Sequence, residues 1–395
     1  MNDPQWTWID RREDLPAVAA AVAASPWLGL DSEGNSMHAY RERMCLLQLN
    51  AGGKLYLIDT LALMGAPSGA GAGVGVGDST DAAPSAALAP LSPLLADPAR
   101  TVLLHGGEYD AGTLRRDFGI ALGRVWDSQQ AASMLGWPQT GYAAVVEKIC
   151  GVKLEKAFTH YDWAKRPIDP GALRYAVDDI VHLPAVHEHL TALIASADLV
   201  EELDIANAAV RDARWSGGFD SGGFWRIKGV RELGVNAHGV LAALWTWRDG
   251  VARELDLPPG RLLNGELLLV LARKTPTSYQ QLKHCGVSGR LLASHGDALI
   301  EVIRTSRANA PDLPPRAHHR EVEPAEEDRE RRLKDWRRSE AERRQVPLQA
   351  VLPAKALEYL KRYSGEDLAA VPQLGAKRIG LYGDKLQALC RAARA

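Results

Sequence analysis

Short apolar stretches separated by turn residues begin the chain and predict a β-sheet. The predicted strands cover residues 6–9, 27–33, 43–49, 54–59 and 101–105, and a further short segment lies at 124–127. Residues 50–53, Asn-Ala-Gly-Gly, have the composition of a hairpin turn, which pairs its flanking strands antiparallel. We therefore expect a sheet that is partly antiparallel.

Helical patterns alternate with these strands and then follow them. The predicted helices cover residues 16–24, 108–117, 128–135, 142–150 and 170–193. Pro16 stands in the first turn of the first helix, with Asp14 beside its start, and this combination favours a helix N-terminus. A mixed sheet followed mostly by helices predicts a three-layer α/β domain.

Residues 65–90 break this pattern, because they are rich in Gly, Ala, Ser and Pro. Such a segment buries too little apolar surface to offset its ordering entropy, so we predict a disordered insertion. Its alternating glycines do not predict a phosphate-binding loop, because the GxxxxGK[ST] pattern is missing.

From residue 241 onward the pattern is helical and repeats at an offset of 89 residues. The aligned pairs are Leu244 and Leu333, Trp247 and Trp336, Arg248 and Arg337, Ala252 and Ala341, Pro258 and Pro347, Leu263 and Leu352, Leu268 and Leu357, and Leu271 and Leu360. Two copies of one helical module are therefore predicted, with the tryptophans in their cores. The arginines near them either hold phosphates or belong to a solvated helix face.

These patterns divide the chain into five parts. The expected boundaries are 1–212 for the α/β domain, 213–236 for a connector, 237–306 for the first module, 307–328 for a linker and 329–395 for the second module.

Composition adds few constraints. The chain has 395 residues, 46% of them hydrophobic, and a formal net charge of −2, so a nucleic-acid partner is not indicated by charge alone. Four scattered cysteines without a C-x-x-C pair argue against a disulfide scaffold and a zinc site. No apolar run approaches the ~20 residues of a membrane span. We expect a cytoplasmic protein without membrane association or an obligate protein partner.

Acidic residues stand at the ends of predicted elements. Asp31 and Glu33 are two residues apart at a strand end, which places both side chains on one face. Asp110 follows another predicted strand, and Tyr175 and Asp179 are i and i+4 on a helix. Buried carboxylates repel one another unless divalent cations neutralise them, and Mg²⁺ prefers oxygen ligands. A pair of such cations stabilises the attacking and leaving oxygens of a phosphodiester cleavage.

Each of these features has a structural alternative when it is taken alone. A D-x-E at a strand end is usually solvated, Asp110 fits the first turn of a helix, and Tyr175 fits a core position. Their order along the chain and the sequence around them favour the metal site.

The surrounding sequence resembles a known nuclease family. The segments that carry the resemblance are LGLDSE at 28–33, RMCLLQL at 43–49, LYLID at 55–59, LLHGGEYDAGTL at 103–114, DWAKRPI at 162–168 and YAVDDIVHL at 175–183. They resemble the tyrosine-bearing branch of the DEDD superfamily of 3′–5′ exonucleases, and within it ribonuclease D, over residues 6–193. The two C-terminal modules resemble the helicase-and-RNase-D C-terminal (HRDC) domain. The resemblance implies a ribonuclease H-like α/β exonuclease domain, with a mixed sheet flanked by helices, followed by two small all-α HRDC-like domains.

The resemblance also implies roles for the acidic residues. The implied metal ligands, for two Mg²⁺ or Mn²⁺ ions, are Asp31, Glu33, Asp110 and Asp179. Tyr175 would orient or help to activate the attacking water. The family spacing Tyr-x-x-x-Asp selects Asp179 and not its neighbour Asp178. Tyr109 before the second-motif aspartate and the insertion at 65–90 depart from the family pattern, although neither removes a ligand.

The implied activity is a metal-dependent 3′–5′ exoribonuclease that removes 3′-terminal nucleotides from RNA, tRNA precursors among them. One alternative is a DNA exonuclease of the Werner or proofreading type, against which the tandem C-terminal modules argue. Another is a non-catalytic nucleic-acid-binding protein. The complete acidic set argues against it, because an inactive copy has no need for mutually repelling carboxylates.

Candidate substrate contacts lie beside the acidic set. Trp163, Lys165 and Arg166 form a polar loop in which an aromatic ring next to two cations is suited to stack a base and hold a phosphate. Packing of Trp163 against the domain is the equal alternative. His105, at a strand end, is either a substrate contact or structural. Asp127 is expected to cap the helix that follows it.

Overall fold

The first part of the chain is an α/β domain. The structure, a computed structural model, describes residues 4–65, 83–155, 157–309, 312–315, 323–363 and 365–391. The elements of the α/β domain are β1 (Trp6–Ile9), α1 (Leu15–Ala23), β2 (Trp27–Gly34), β3 (Met44–Ala51), β4 (Lys54–Ile58), α2 (Thr60–Leu63), α3 (Ser92–Leu95), β5 (Thr101–Leu104), α4 (Glu108–Phe118), β6 (Arg124–Asp127), α5 (Ser128–Met134), α6 (Tyr142–Cys150), α7 (Pro170–Val181), α8 (Leu183–Ser196) and α9 (Val200–Arg211).

The six strands form one mixed sheet in the order β1-β4-β3-β2-β5-β6. β2 and β4 pair antiparallel with β3, whereas β1–β4, β2–β5 and β5–β6 are parallel pairs. One buried cluster, which includes Val18 of α1 and Leu114 of α4, covers one face. A second cluster, which includes Val146 of α6 and Val177 of α7, covers the other face. The predicted three-layer α/β architecture is confirmed.

The predicted helix at 170–193 is wrong in one respect, because it is two helices. α7 ends at Val181, and α8 begins at Leu183 with a proline in its first turn. Pro184 has no backbone N–H, and its ring disfavours helical backbone in the preceding residue, so the chain breaks there.

The predicted disordered insertion at 65–90 is wrong for its last part. Residues 83–90 are described, with a 3₁₀ turn at Ala86–Leu88, and Leu88 is fully buried in the core beside α4. Leu88 and Leu91 supply the apolar surface that orders this segment. Residues 66–82 lie outside the described residues.

The rest of the chain forms two helical modules. Their elements are α10 (Val235–Glu254), α11 (Pro259–Leu262), α12 (Gly265–Lys274), α13 (Tyr279–Cys285), α14 (Gly289–Ala308), α15 (Pro324–Arg344), α16 (Leu348–Val351), α17 (Ala354–Arg362) and α18 (Ala376–Arg391). Equivalent leucines of the repeat, such as Leu244 and Leu333, are fully buried in separate cores. Arg248 is buried and donates to the Leu263 carbonyl at 3.0 Å, so it belongs to neither a phosphate site nor a solvated face.

The predicted linker at 307–328 is shorter than expected, because α15 begins at Pro324. Pro324 in the first turn, followed by Glu326 and Glu327, is a helix N-terminus signal that suits the positive end of the helix dipole.

Both modules contact the α/β domain. The Tyr40 hydroxyl donates to Asp249 Oδ2 of the first module at 2.8 Å, and the Arg41 backbone N–H donates to Asp256. In the second module, the Gln349 amide donates to the Ser133 carbonyl at 2.8 Å. Within the described residues, no helix is both long and apolar enough to cross a membrane.

The buried position of Leu88 gives a test of the corrected insertion boundary. Leu88→Ala is expected to lower the free energy of unfolding by about 2–5 kcal/mol, because it opens a cavity in the core. Leu193→Ala, at a residue that is 36% exposed, is the control and should change it by about 0.5 kcal/mol or less. Denaturant unfolding of both variants checks this, and equal effects would contradict the ordered boundary.

Candidate active site

Three of the predicted ligands meet between β2 and α7. Carboxylate oxygens of Asp31, Glu33 and Asp179 all lie within 4.8 Å of one another. Asp31 and Glu33 come from β2 and Asp179 from α7, so residues far apart in sequence build one acidic cluster. The structure therefore places these three residues together, as the sequence predicted.

Close packing of α7 on the sheet produces this approach. Asn50 of β3 donates through Nδ2 to the Ile180 carbonyl of α7 at 3.0 Å. Gly29 of β2 lies beneath α7, and a Cβ added there would be 3.1 Å from Asn50 Cβ and 3.5 Å from the Ile180 oxygen. Asp169 caps α7 by accepting from the Gly171 N–H at 2.7 Å.

Asp110 joins the cluster from the N-terminus of α4. It is 5% exposed and accepts a hydrogen bond from the Ser32 hydroxyl, whose residue lies between Asp31 and Glu33. Its charge also helps to raise the pKa of Asp31 and of Glu33. Asp110 therefore belongs to the same electrostatic site, although its oxygens lie outside the group that meets within 4.8 Å.

Burial dominates the electrostatics of the cluster. Burial, followed by the charges of neighbouring carboxylates, raises the pKa of Glu33 to about 9 and that of Asp179 to about 7. Burial raises the pKa of Asp110 to about 6, although the Ser32 hydroxyl opposes the change. Asp31 has its pKa raised well above the usual value by burial, and then by Asp110, Asp179 and Glu33. Four such groups fit a divalent cation, whose charge would offset their repulsion.

Tyr175 lies one helical turn before Asp179, and its hydroxyl hydrogen-bonds with Thr159. Its ring packs near Phe158 and Trp163, with centroid distances of 6.2 and 6.3 Å. Burial and the nearby carboxylates raise the pKa of Tyr175, so the hydroxyl stays protonated at neutral pH.

Asp178 is not part of the carboxylate group that meets within 4.8 Å. It forms an i,i+4 ion pair with Arg174 at 3.0 Å, and both side chains are partly exposed. The helical register predicted from the Tyr-x-x-x-Asp spacing therefore agrees with the structure.

Two of the predicted substrate contacts, Trp163 and Arg166, instead make interactions within the protein. Trp163 is 2% exposed, which favours the packing alternative over base stacking. Arg166 forms a two-pronged pair with Asp59 at 2.6 Å for each contact, and the Arg166 side chain is 13% exposed. The guanidinium of Arg166 already has a partner, which argues against the predicted phosphate role. Lys165 is exposed.

His105 has a structural role. Its Nδ1 lies 2.8 Å from the Ser128 hydroxyl, and its ring packs against Tyr142 with a centroid distance of 5.0 Å. Burial lowers the pKa of His105 to about 4, so it carries no charge for a phosphate at neutral pH.

Asp127 caps α5 through the N–H groups of Gln129 and Gln130, as predicted.

Two residues near the site were missed in the sequence. Gln48 on β3 is fully buried and directly opposite Asp31. A polar residue in the apolar run RMCLLQL was the signal for it. Glu42 accepts from Trp215 Nε1 at 2.8 Å and pairs with Arg116 at 3.2 Å, which fastens the connector after α9 beside α4. No local pattern marks Glu42, because its partners are distant in sequence.

Comparison with known proteins identifies the fold and the family. The 3′–5′ exonuclease family matches residues 6–195, and the HRDC domain family matches residues 237–303 and 326–390. The chain is 29% identical to Escherichia coli ribonuclease D over 78% of this chain and 76% of that protein. It is 28% identical to Granulibacter bethesdensis ribonuclease D over 79% and 75% of the two chains. The chain belongs to the ribonuclease D family.

Solved structures agree with this membership at the level of the fold. Escherichia coli RNase D superposes with a TM-score of 0.69 at 24% identity, over 98% of both chains. The catalytic core of RRP6 from Trypanosoma brucei superposes with a TM-score of 0.66 at 23% identity, over 78% of this chain and 81% of that one. The tandem HRDC domains predicted from the repeat are therefore confirmed for this ribonuclease D family member, and its exonuclease fold implies use of a divalent metal.

Adjacent aspartates on α7 allow a matched test. Asp179→Asn is expected to lower nuclease turnover more than about a hundredfold with folding intact, because it removes a ligand carboxylate. Asp178→Asn should lower it less than about threefold, since a partly exposed i,i+4 pair contributes only about 0.3–0.5 kcal/mol. Steady-state kinetics on one RNA substrate check both, and the reverse order would show that the predicted register of α7 is wrong.

The raised pKa values predict how metal binding depends on pH. Without metal, the folded protein holds protons on Asp110, Asp179 and Glu33 up to pKa values of about 6, 7 and 9, whereas the unfolded chain releases them near pH 4. These protons stabilise the metal-free fold at low pH. That contribution is lost as the pH rises from about 4, where the unfolded chain releases its protons, to about 9, the pKa of Glu33 in the fold. A cation must displace them, so the Mg²⁺-dependent rise in melting temperature should grow from about pH 6 to about pH 9. Thermal melts with Mg²⁺ or EDTA check this, and a rise independent of pH would contradict it.

Proposed function

We propose that this chain is a 3′–5′ exoribonuclease that removes 3′-terminal nucleotides from RNA. The observation that carries the proposal is the convergence of Asp31, Glu33 and Asp179 oxygens within 4.8 Å, with Asp110 and Tyr175 beside them. The curated relatives named ribonuclease D support RNA as the substrate.

Two divalent cations, Mg²⁺ or Mn²⁺, would be held by Asp31, Glu33, Asp110 and Asp179. When bound, such cations supply Lewis-acid activation of water and stabilisation of the leaving oxygen. Water adds to the phosphorus of the last phosphodiester, and the bond to the upstream 3′ oxygen breaks. The upstream chain then ends in a 3′ hydroxyl, and the released nucleotide keeps the phosphate.

Tyr175 positions the attacking water through its hydroxyl. Its raised pKa keeps the group protonated, so the tyrosine orients the water by hydrogen bonding and does not take its proton. Phe158 and Trp163 hold the ring, and Trp163 therefore acts through Tyr175 and not by contact with a base.

The proposed substrates are RNAs with a free 3′ end, including tRNA precursors, as the family resemblance suggests. The solved Escherichia coli relative is described as an exoribonuclease involved in structured RNA processing. The contacts of Tyr40 and Gln349 support a second role for the HRDC domains, which is to stabilise the exonuclease domain by packing on it.

A labelled-substrate assay tests the function. The protein is incubated with RNA and DNA of the same sequence, labelled at the 3′ or the 5′ end, in Mg²⁺, Mn²⁺ or EDTA. We expect immediate release of the 3′ label as single nucleotides from RNA, a shortening ladder from the 5′ label, and no reaction in EDTA. Asp179→Asn is the control for a contaminating nuclease.

Three results would contradict the proposal. Undiminished cleavage in excess chelator would exclude the metal mechanism. Faster degradation of DNA than of RNA would favour the DNA exonuclease alternative. Binding of RNA without any cleavage would favour a non-catalytic binding protein.

A further inference from the structure

Gln48 presents an unsatisfied amide beside the acidic cluster. It lies on β3 directly opposite Asp31 of β2, and side chains of directly opposed antiparallel residues share one face with Cβ atoms about 5 Å apart. Gln48 is fully buried, and neither its Nε2 nor its Oε1 has a hydrogen-bond partner among the described residues. The neighbours Leu47 and Leu49 are also fully buried, so an apolar side chain is the ordinary occupant of this strand. A buried amide without partners destabilises the fold and calls for an explanation.

Tyr142 presents a second unsatisfied group at the same cluster. It is the first residue of α6, and its ring is held against His105. Its hydroxyl is buried and donates to no acceptor in the described part of the chain, while the backbone N–H of His182 lies beside its oxygen. His182 ends α7, three residues after Asp179, so its N–H places the Tyr142 hydroxyl at the same end of α7 as this ligand. Burial raises the pKa of Tyr142, and the charges of Asp179 and then Asp31 raise it further.

Carboxylates that bind a cation also need hydrogen-bond donors, and the Gln48 amide and the Tyr142 hydroxyl are such donors. Each ionised carboxylate has about four sites that accept hydrogen bonds, and a cation occupies only those that face it. The remaining sites need donors that orient the carboxylate, and neutral donors serve this purpose without repelling the cation. An amide N–H and a phenolic O–H are both neutral donors.

We propose that Gln48 and Tyr142 are positioning residues of the cation site. Gln48 Nε2 donates a hydrogen bond to Asp31, and the Tyr142 hydroxyl donates one to Asp179, when the carboxylates hold a cation. Both groups act through the ligands and touch neither the cation nor the RNA. The inference rests on the proposed function, because it assigns supports to the same metal site.

The test measures metal affinity of the full chain without relying on activity. Gln48→Met and Tyr142→Phe each remove one donor and keep the size of the side chain. Tyr56→Phe is the matched control, because Tyr56 lies on β4 and packs against the cluster on the opposite face of the sheet. Melting temperatures are recorded in EDTA and across a titration of Mg²⁺, and then of Mn²⁺, to give the concentration of half-maximal stabilisation.

We expect both variants to raise this half-maximal concentration by about tenfold or more, as loss of a hydrogen bond to a metal ligand usually does. In EDTA their melting temperatures should equal or exceed that of the wild type, because an unsatisfied buried group has been removed. Tyr56→Phe should leave the half-maximal concentration unchanged.

The contrary outcomes are distinct. A half-maximal concentration within about twofold of the wild type in a variant overturns the assignment of that residue, whatever its melting temperature in EDTA. An equal shift in Tyr56→Phe overturns both assignments. If the wild type itself shows no stabilisation by either cation, the proposed function fails together with the inference.

Discussion

Crowding of four carboxylates, one buried and three partly exposed, is the constraint on which the rest of this structure depends. Asp31, Glu33 and Asp179 bring their oxygens within 4.8 Å, and Asp110 is linked to them through Ser32. Burial raises the pKa of all four groups, and the charges of neighbouring carboxylates raise those of Asp31, Glu33 and Asp179 further, so the site disfavours their charged forms. The fold holds these groups together with contacts made elsewhere, and a cation would convert their repulsion into binding energy.

Several contacts serve this purpose at a distance. Gly29 and Asn50 let α7 lie close against β2, which sets the separation of Asp31 from Asp179. The buried pair of Arg166 and Asp59 fixes the loop that leads into α7. Loss of one partner of such a pair costs about 3–5 kcal/mol, because it leaves an uncompensated charge. The site therefore depends on residues that contact no substrate.

Local periodicity accounts for the features that could be predicted from sequence. Alternation along β2 placed Asp31 and Glu33 on one face, and the i,i+4 relation placed Asp179 with Tyr175. The Leu and Trp repeat predicted the two modules before any family was considered. These features depend on neighbours within a few residues, where backbone geometry is fixed by the type of element.

Long-range pairing accounts for what could not be predicted. The sequence around Arg166 predicts a phosphate contact. Its actual partner, Asp59, lies 107 residues away, so no local pattern indicates the ion pair. Trp163 has the same local signature whether it faces solvent or packs beside Tyr175. The buried Leu88 lies within a composition typical of disorder and is ordered by contacts with distant elements. The break at His182 is signalled in the sequence by Pro184, in the first turn of α8.

The central claim is that the crowded carboxylates form a divalent-cation site. Anomalous diffraction from crystals grown with Mn²⁺ tests it directly, because Mn²⁺ is located without any assumption about activity. The account predicts anomalous density among the oxygens of Asp31, Glu33 and Asp179, with Asp110 as a further ligand. Its absence in Asp179→Asn crystals would serve as the control. Crystals saturated with Mn²⁺ that show no density at these carboxylates would contradict the account.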